Sequence, residues 1–317
     1  MVGCGMVAVS GDQDDGRSCP DRVDGALTVD LEDWKCALDP APDANYSERP
    51  EVDEDYLKRT AKSLLEALDA AGSRATFFVL GEVAAAVPEV VKDIARRGHE
   101  IASHSPVHLP PRMVPRNEFK RLMIEDMSLL EELSGKNPLG FRAPYFSVSR
   151  KGESWLMKTL VEVGLKYDSS VVPTRTPYWG IPFAPKSPYF PRHDDLSKSS
   201  SSGPLLEIPV TVWPHLEHIP GLPVGGGFYM RAWPSFFLLS VLRRTISSGY
   251  PLVLYIHPGN LDSEKDFIAK RTLRDRISQN VVAKKGAPIF RTILKEFRFG
   301  TIAEVFSNEL STVRQVK

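Results

Sequence analysis

The sequence is short of several features that would place it in a class at once. It holds three cysteines in 317 residues, Cys4, Cys19 and Cys36, all near the N-terminus and without CxxC spacing. An odd number so placed argues against a disulfide framework and fits a reducing compartment. Neither sign of charge is in excess, Lys plus Arg and Asp plus Glu each numbering 40. The signs alternate along the chain, which leaves no electrostatic footprint for nucleic acid or an anionic membrane. No apolar run of about 18 residues occurs, so nothing reads as a membrane span. The first 24 residues lack the basic n-region and continuous apolar stretch of a secretory signal, and a cytoplasmic location is the expectation.

What is present reads as an α/β protein. A single α/β barrel commonly spans about 200–250 residues and can carry extensions, so one large domain with decorations is expected. Residues 1–24, rich in Gly, Asp and Ser, offer few apolar side chains and read as a disordered tail. The fold is expected over 25–317. There, β-rich runs alternate with amphipathic segments: ALTVDL at 26–31, TFFVL at 76–80, EIASH at 100–104, GFRAP at 140–144, KYDSS at 166–170, LLEIPVTV at 205–212 and PLVLYIH at 251–257. In EDYLKRTAKSLLEALDAAG, Leu57, Leu64, Leu65 and Leu68 fall on one helical face and Gly72 closes the helix. NEFKRLMIEDMSLLEEL at 117–133 repeats the pattern. Strands alternating with helices imply βαβ units, and seven such strands suit an incomplete barrel better than an open sheet.

Two irregular stretches interrupt the rhythm. In 171–204 the prolines forbid a long helix and the run SKSSSSG favours a mobile loop. The second stretch, 213–234, carries GGG at 225–227, but no Lys-Ser or Lys-Thr follows and a phosphate loop is excluded. Both insertions are expected over one face of the barrel, where loops carry function. Trp155, Trp213, Phe228, Tyr229 and Trp233 could offer a sugar-stacking surface, although aromatics at such spacings are more often core.

A parallel barrel presents its active site where strands end, so polar residues there come first. Asp30, Glu32 and Asp33 end the first run, His104 the third, Arg142 the fourth, Asp168 the fifth and His257 the last. Asp30 sits in an apolar strand and needs a nearby cation, either Arg142 or a metal. A purely structural Asp–Arg pair is the alternative. His104 and His108 in SHSPVH share an H-x3-H spacing that brings both rings to one side if a helical turn follows the strand, with Pro106 in its first turn. Such a pair alone is more often packing than a site. A carboxylate third ligand changes that balance, and Glu32 and Asp33 are both in reach. His257 either satisfies a strand end or stands beside the metal to protonate a leaving group.

In this order the stretches resemble the NodB-homology polysaccharide deacetylases, carbohydrate esterase family four, from about Ala26 to His257. LTVDLEDW resembles the first family motif, SHSPVH the H-[ST]-x-x-H metal motif and FRAPYF the third, with YDSS and LYIHPG at the places of the fourth and fifth. GGGFYMRAWP at 225–234 and RFGTIAEV at 298–305 resemble the downstream part of a subfamily found among exopolysaccharide biosynthesis proteins, with a C-terminal extension expected here from about residue 258. The resemblance implies a distorted (β/α)7 barrel, a divalent metal, Zn²⁺ or Co²⁺, and hydrolysis of an N-acetyl group on an amino sugar. It implies Asp30 as general base, Arg142 as the group that orients it and His257 as general acid. It also implies Asp168 as the residue that holds and polarises His257, the main-chain N–H of Tyr145 as an oxyanion donor, and His104 and His108 as metal ligands. One departure is Leu31, where many members carry a second, adjacent aspartate. Strand alternation favours Glu32 as the third ligand, and Asp33 serves if the chain bends after Leu31.

The expected partner is an acetylated amino sugar in a saccharide or glycan precursor, with no nucleic acid and with homo-oligomerisation compatible with the sequence. Two rival readings share the barrel: an allantoinase-like amidase acting on a small C–N substrate, and a non-catalytic glycan-binding barrel.

Overall fold

The structure, a computed structural model, describes residues 23–34, 51–151, 154–176, 179–216, 219–261 and 286–314. The expected tail at 1–24 lies outside the described residues except for Val23 and Asp24, as do the three cysteines. In chain order the strands are β1 (Gly25–Leu31), β2 (Thr76–Val79), β3 (Glu100–Ser103), β4 (Gly140–Phe141), β5 (Tyr167–Asp168), β6 (Phe190–Arg192), β7 (Asp195–Ser200), β8 (Leu206–Glu207), β9 (Val212–Trp213), β10 (Leu222–Pro223), β11 (Leu252–Ile256) and β12 (Phe299–Gly300). The helices that pack on them begin with α1 (Glu54–Ala71), α2 (Gly81–Ala86), α3 (Pro88–Arg96), α4 (Arg116–Ser134), α5 (Ser154–Glu162), α6 (Gly227–Ala232) and α7 (Ser235–Ser247).

The main sheet runs β11-β1-β2-β3-β4-β5-β8 with every pairing parallel, and β12 joins the start of β1. Its two ends are drawn together past β8. Thr211 donates its N–H to the Val253 carbonyl at 3.0 Å, and its Oγ1 accepts the Val253 N–H at 2.7 Å. The sheet thereby curls into the distorted barrel that the seven runs predict.

Strand alternation divides the side chains between two cores. Leu27, Val29 and Leu31 of β1 pack outward with Leu57, Leu64 and Leu68 of α1. Ala26 packs inward with Phe78, Ala102, Tyr167 and Val253, and Thr28 and Asp30 share its face. Helix α1 begins at Asp53, whose side chain accepts the Tyr56 N–H, and ends at Gly72 in the left-handed region with φ 60°. The lower end of the barrel is filled from the C-terminal part. Ile302, Phe306 and Leu310 enter the inner core, while the Ile302 N–H donates to Thr76 Oγ1 and the Ala303 N–H to the buried Glu100 carboxylate.

Two local expectations are corrected, and the glycine run gains an explanation. Residues 104–110 form no helical turn. Ser105 lies at φ 81°, and the Ser105 and Pro106 carbonyls accept the Gly81 and Glu82 N–H groups that open α2. The loop is committed to capping a helix and is not part of one. The serine run is no loop either, since Asp195–Ser200 is β7 and pairs with β6 in a hairpin whose far end is exposed, so serine meets no packing demand there. The GGG run is a contact device: a Cβ on Gly225 would come within 2.9 Å of the Val253 carbonyl, and one on Gly226 within 2.6 Å of the Tyr255 ring. Three bare positions let the second insertion lie directly against β11.

Burial drives the His99 pKa down from 6.5 to about 4, and its Nδ1 accepts the Ala75 N–H, so a proton there would displace a backbone hydrogen bond. The unfolded chain takes up that proton first as the pH falls, so this residue's contribution to stability should be lost between about pH 6.5 and 4. A His99→Asn variant, whose amide oxygen can still accept from Ala75, should lose melting temperature less steeply than the wild type over that window. Equal slopes would show that His99 titrates normally.

Candidate metal and acid-base site

The site is assembled around Arg142, a fully buried guanidinium at the end of β4. A charge so placed needs its donors satisfied, and the neighbouring strands supply the acceptors. Nη1 donates to Asp30 Oδ1 at 2.7 Å and Thr28 Oγ1 at 2.8 Å, Nε to the Ser169 carbonyl at 3.0 Å, and Nη2 to Ser169 Oγ at 2.9 Å. The guanidinium carbon lies 4.1 Å from the Phe78 ring centroid, close enough for cation–π attraction. The pairing expected between Asp30 and Arg142 is therefore present.

Alternation carries Glu32 onto the same side as Thr28 and Asp30, just past the end of β1. There it meets both histidines of the 104–108 loop. Glu32 Oε2 lies 2.7 Å from His108 Nε2 and 3.5 Å from His104 Nε2. One ligand atom from each of Glu32, His104 and His108 falls within 4.8 Å of the others, and all three residues are buried. His104 Nδ1 lies 2.9 Å from the Arg142 carbonyl, so the neutral ring donates there and leaves Nε2 as the lone-pair nitrogen facing Glu32. Two imidazole nitrogens and one carboxylate oxygen form a donor set suited to zinc and neighbouring divalent metals.

Asp33 is not brought into this cluster. Alternation turns it to the opposite side, where its Oδ2 accepts the Asp53 N–H at 2.5 Å just ahead of α1. Choosing Glu32 over Asp33 follows from the pleat, and Leu31 introduces no bend that would reverse it.

His257 follows β11, its side chain about a third exposed at 33%. Nε2 lies 3.0 Å from Glu32 Oε1 and 4.0 Å from Asp30 Oδ2, while Asn260 Oδ1 accepts the His257 N–H at 3.1 Å. Burial works against the charged imidazole, but the charge and hydrogen bond of Glu32, with Asp30 behind, outweigh it and raise the pKa. Burial likewise opposes ionisation of Glu32, yet His108, His257 and His104 hold its carboxyl well below the usual range.

Asp168 does not hold His257, contrary to the role implied for it. Tyr167 and Ser169 face the barrel interior, so Asp168 between them points to the outer side. Its Oδ1 accepts from Ser170 Oγ, and its register partner is Glu207 of β8. The carboxylate that faces His257 is Glu32. Tyr145 stands next to the cluster, its ring centroid 4.2 Å from that of His108. It and Phe146 have φ 58° and 50°, a left-handed pair of non-glycine residues. Such conformations cost of order 1–3 kcal/mol each and recur at functional sites.

Of the proposed stacking aromatics, Trp155 packs against Phe119, and Trp213 and Trp233 against Phe237. Phe228 is half exposed and adjoins Tyr229, which reaches Trp179. Sequence reasoning missed Thr28, Ser169, Ser170 and Glu207. Thr28 carried a usable signal, a second polar residue two positions before Asp30 in an apolar strand.

If Glu32 is the third ligand, Glu32→Ala should weaken Zn²⁺ binding by at least about tenfold, the scale reported even for residues that only support a ligand. Asp33→Asn should leave the affinity close to wild type in the same calorimetric titration. The reverse ranking would move the third ligand to Asp33.

Residues 51–162 match the family described as polysaccharide deacetylase, and residues 169–307 match a domain of unknown function, DUF3473. The chain is similar to a peptidoglycan-N-acetylglucosamine deacetylase of Bacillus cereus, with 34% identity over 92 residues, 29% of this chain and 34% of that protein. It is also similar to a peptidoglycan deacetylase of Helicobacter pylori, with 30% identity over 106 residues, 33% of this chain and 35% of that protein. The alignments span about a third of the length of these curated relatives. Among solved structures, a Mycobacterium smegmatis protein assigned as a polysaccharide deacetylase superposes with TM-score 0.56 at 21% identity, covering 95% of this chain and 96% of that one. Puue allantoinase superposes with TM-score 0.55 at 17% identity, covering 93% of each chain. These two structural likenesses are likenesses of fold.

Proposed function

We propose that this chain, whose residues 51–162 match the polysaccharide deacetylase family, is a divalent-metal-dependent deacetylase that removes the N-acetyl group from an amino sugar and releases acetate. The observation that carries the proposal is the meeting of two different sets of groups at one end of the sheet. A donor triad of Glu32, His104 and His108 adjoins an acid-base pair of Asp30 and His257. The curated relatives, named as peptidoglycan deacetylases, support the substrate class. The donor triad also favours a deacetylase over the allantoinase-like alternative, whose expected mark is loss of the metal ligands.

An amide is a poor electrophile, so the reaction needs a polarised carbonyl, a deprotonated water and a protonated leaving amine. A Zn²⁺ or Co²⁺ ion held by Glu32, His104 and His108 would supply the Lewis acidity for the first two. The proton chemistry belongs to the chain. Asp30 accepts the proton of the attacking water on Oδ2, while its Oδ1 stays pinned by Arg142. His257, its charged form favoured by Glu32 and Asp30, delivers a proton to the departing amine nitrogen. The Tyr145 main-chain N–H remains the proposed partner of the developing oxyanion, and its residue's position beside His108 is consistent with that role.

Purified protein should release acetate from N-acetylglucosamine oligomers, lose this activity on chelation and regain it with Zn²⁺ or Co²⁺. A His257→Ala variant should keep its metal and lose turnover by roughly 10²- to 10⁴-fold. Unchanged turnover in that variant would remove His257 from the acid role. Hydrolysis of allantoin without acetate release from any acetylated sugar would favour the amidase.

A further inference from the structure

Behind the site, on the outer face of the sheet, lies a second polar assembly that the proposed reaction does not use. Asp168 and Glu207 are register partners on β5 and β8, so their side chains stand next to each other on one face, and both are buried. Each has a specific task on the backbone. Glu207 Oε1 accepts the Val171 N–H at 2.9 Å. Asp168 Oδ1 accepts from Ser170 Oγ at 2.5 Å, and Ser170 Oγ accepts the Ala143 N–H at 2.8 Å. Ala143 directly follows Arg142 and opens the turn that carries Tyr145 and Phe146.

We propose that Glu207 is a positioning residue for the site: together with Asp168 and Ser170 it holds the 142–146 loop from outside the barrel, and so keeps Arg142 aimed at Asp30 and Tyr145 beside His108. The loop is gripped from both faces at once. Ser169 accepts from Arg142 on the inside while Ser170 accepts from Ala143 on the outside. The alternation of β5 continues into two consecutive serines that serve opposite sides of one turn. A strained left-handed pair at Tyr145 and Phe146 persists only where its surroundings over-determine it, and this double grip does so.

Two buried carboxyls side by side are expensive, and an apolar pair of similar volume would pack there at lower cost. Their retention is explained by the backbone groups they satisfy. Burial raises both carboxyls above their ordinary range, Asp168 to about 6 and Glu207 well above, the Asp168 charge adding to the rise at Glu207, so that Glu207 is the member of the pair that keeps its proton near neutrality. A carboxamide at 207 mimics that neutral state, and one at 168 keeps an oxygen to accept from Ser170. If Asp168 instead polarised His257 as an anion, the carboxamide would fail.

The activity arm of the test rests on the deacetylase reading; the structural arm does not. With N-acetylglucosamine oligomers and the zinc-loaded enzyme, Glu207→Leu should lower kcat by about 10- to 100-fold, the scale typical of groups that support a site from behind. KM and zinc stoichiometry should stay within about threefold of wild type. Independently of turnover, the Ala143 amide should lose protection in hydrogen exchange while the amides of β11 keep theirs. Glu207→Gln and Asp168→Asn should each rescue both readouts, staying within about threefold of wild-type kcat. Wild-type turnover together with wild-type Ala143 protection in Glu207→Leu would overturn the proposal. So would a folded Glu207→Gln variant as damaged as the leucine variant, which remains decisive if the leucine variant does not fold. Should the wild type release no acetate at all, the deacetylase reading fails and the exchange measurement alone decides the role of Glu207.

Discussion

The buried ion pair between Arg142 and Asp30 is the interaction on which the rest of the site depends. An unpaired guanidinium with no exposure would be untenable, and removing one partner of such a pair typically costs about 3–5 kcal/mol. The pair therefore fixes more than one carboxylate. Arg142 draws the ends of β1, β4 and β5 together through Asp30, Thr28 and Ser169, and its carbonyl sets the ring of His104. His104 and Asp30, the proposed metal donor and base, are thus held by the same residue, one through its main chain and the other through its side chain. A change at Arg142 would disturb both, so its replacement cannot separate metal binding from proton transfer.

Much of this was legible in the sequence because strand alternation is a strict rule. Once Asp30 is taken to face inward, Glu32 must face inward and Asp33 must not, and the geometry follows that rule past the end of the strand. The same rule would have corrected Asp168. Arg142 inside and Ser169 bonded to it require Asp168 outside, but without the pairing of β4 and β5 there is no way to know that Ser169 is the inward residue. The resemblance placed Asp168 at His257, and local geometry assigns it to Glu207 instead.

What was not legible depends on contacts between distant segments. The partner of His257 is Glu32, 225 positions away, and no local pattern announces it. The loop of His104 and His108 reads as a helical turn from its Pro106, yet its carbonyls cap α2, an element that precedes it in the chain. The glycines at 225–227 show a similar limit. Their composition excluded a phosphate loop, and only the nearness of Val253 and Tyr255 reveals that they are bare to let the backbone approach β11. In each case the residue type is informative about chemistry, and the partner is fixed by topology.

The division of the chain into a polysaccharide deacetylase segment at 51–162 and a domain of unknown function at 169–307 does not coincide with the division of labour. The first segment holds His104, His108 and Arg142, but Asp30 and Glu32 precede it. The second holds Ser169, Glu207 and His257, and supplies β8 and β11, which complete the sheet on either side of β1 to β5. Without it, β1 would lose its neighbour at the site and Arg142 two of its acceptors. It also carries Ile302 and Phe306, which fill the lower end of the barrel. A region that provides three strands of the main sheet, His257 and the floor of the barrel is not an appended module. It is the second half of one barrel, and the two halves fold around a site to which both contribute.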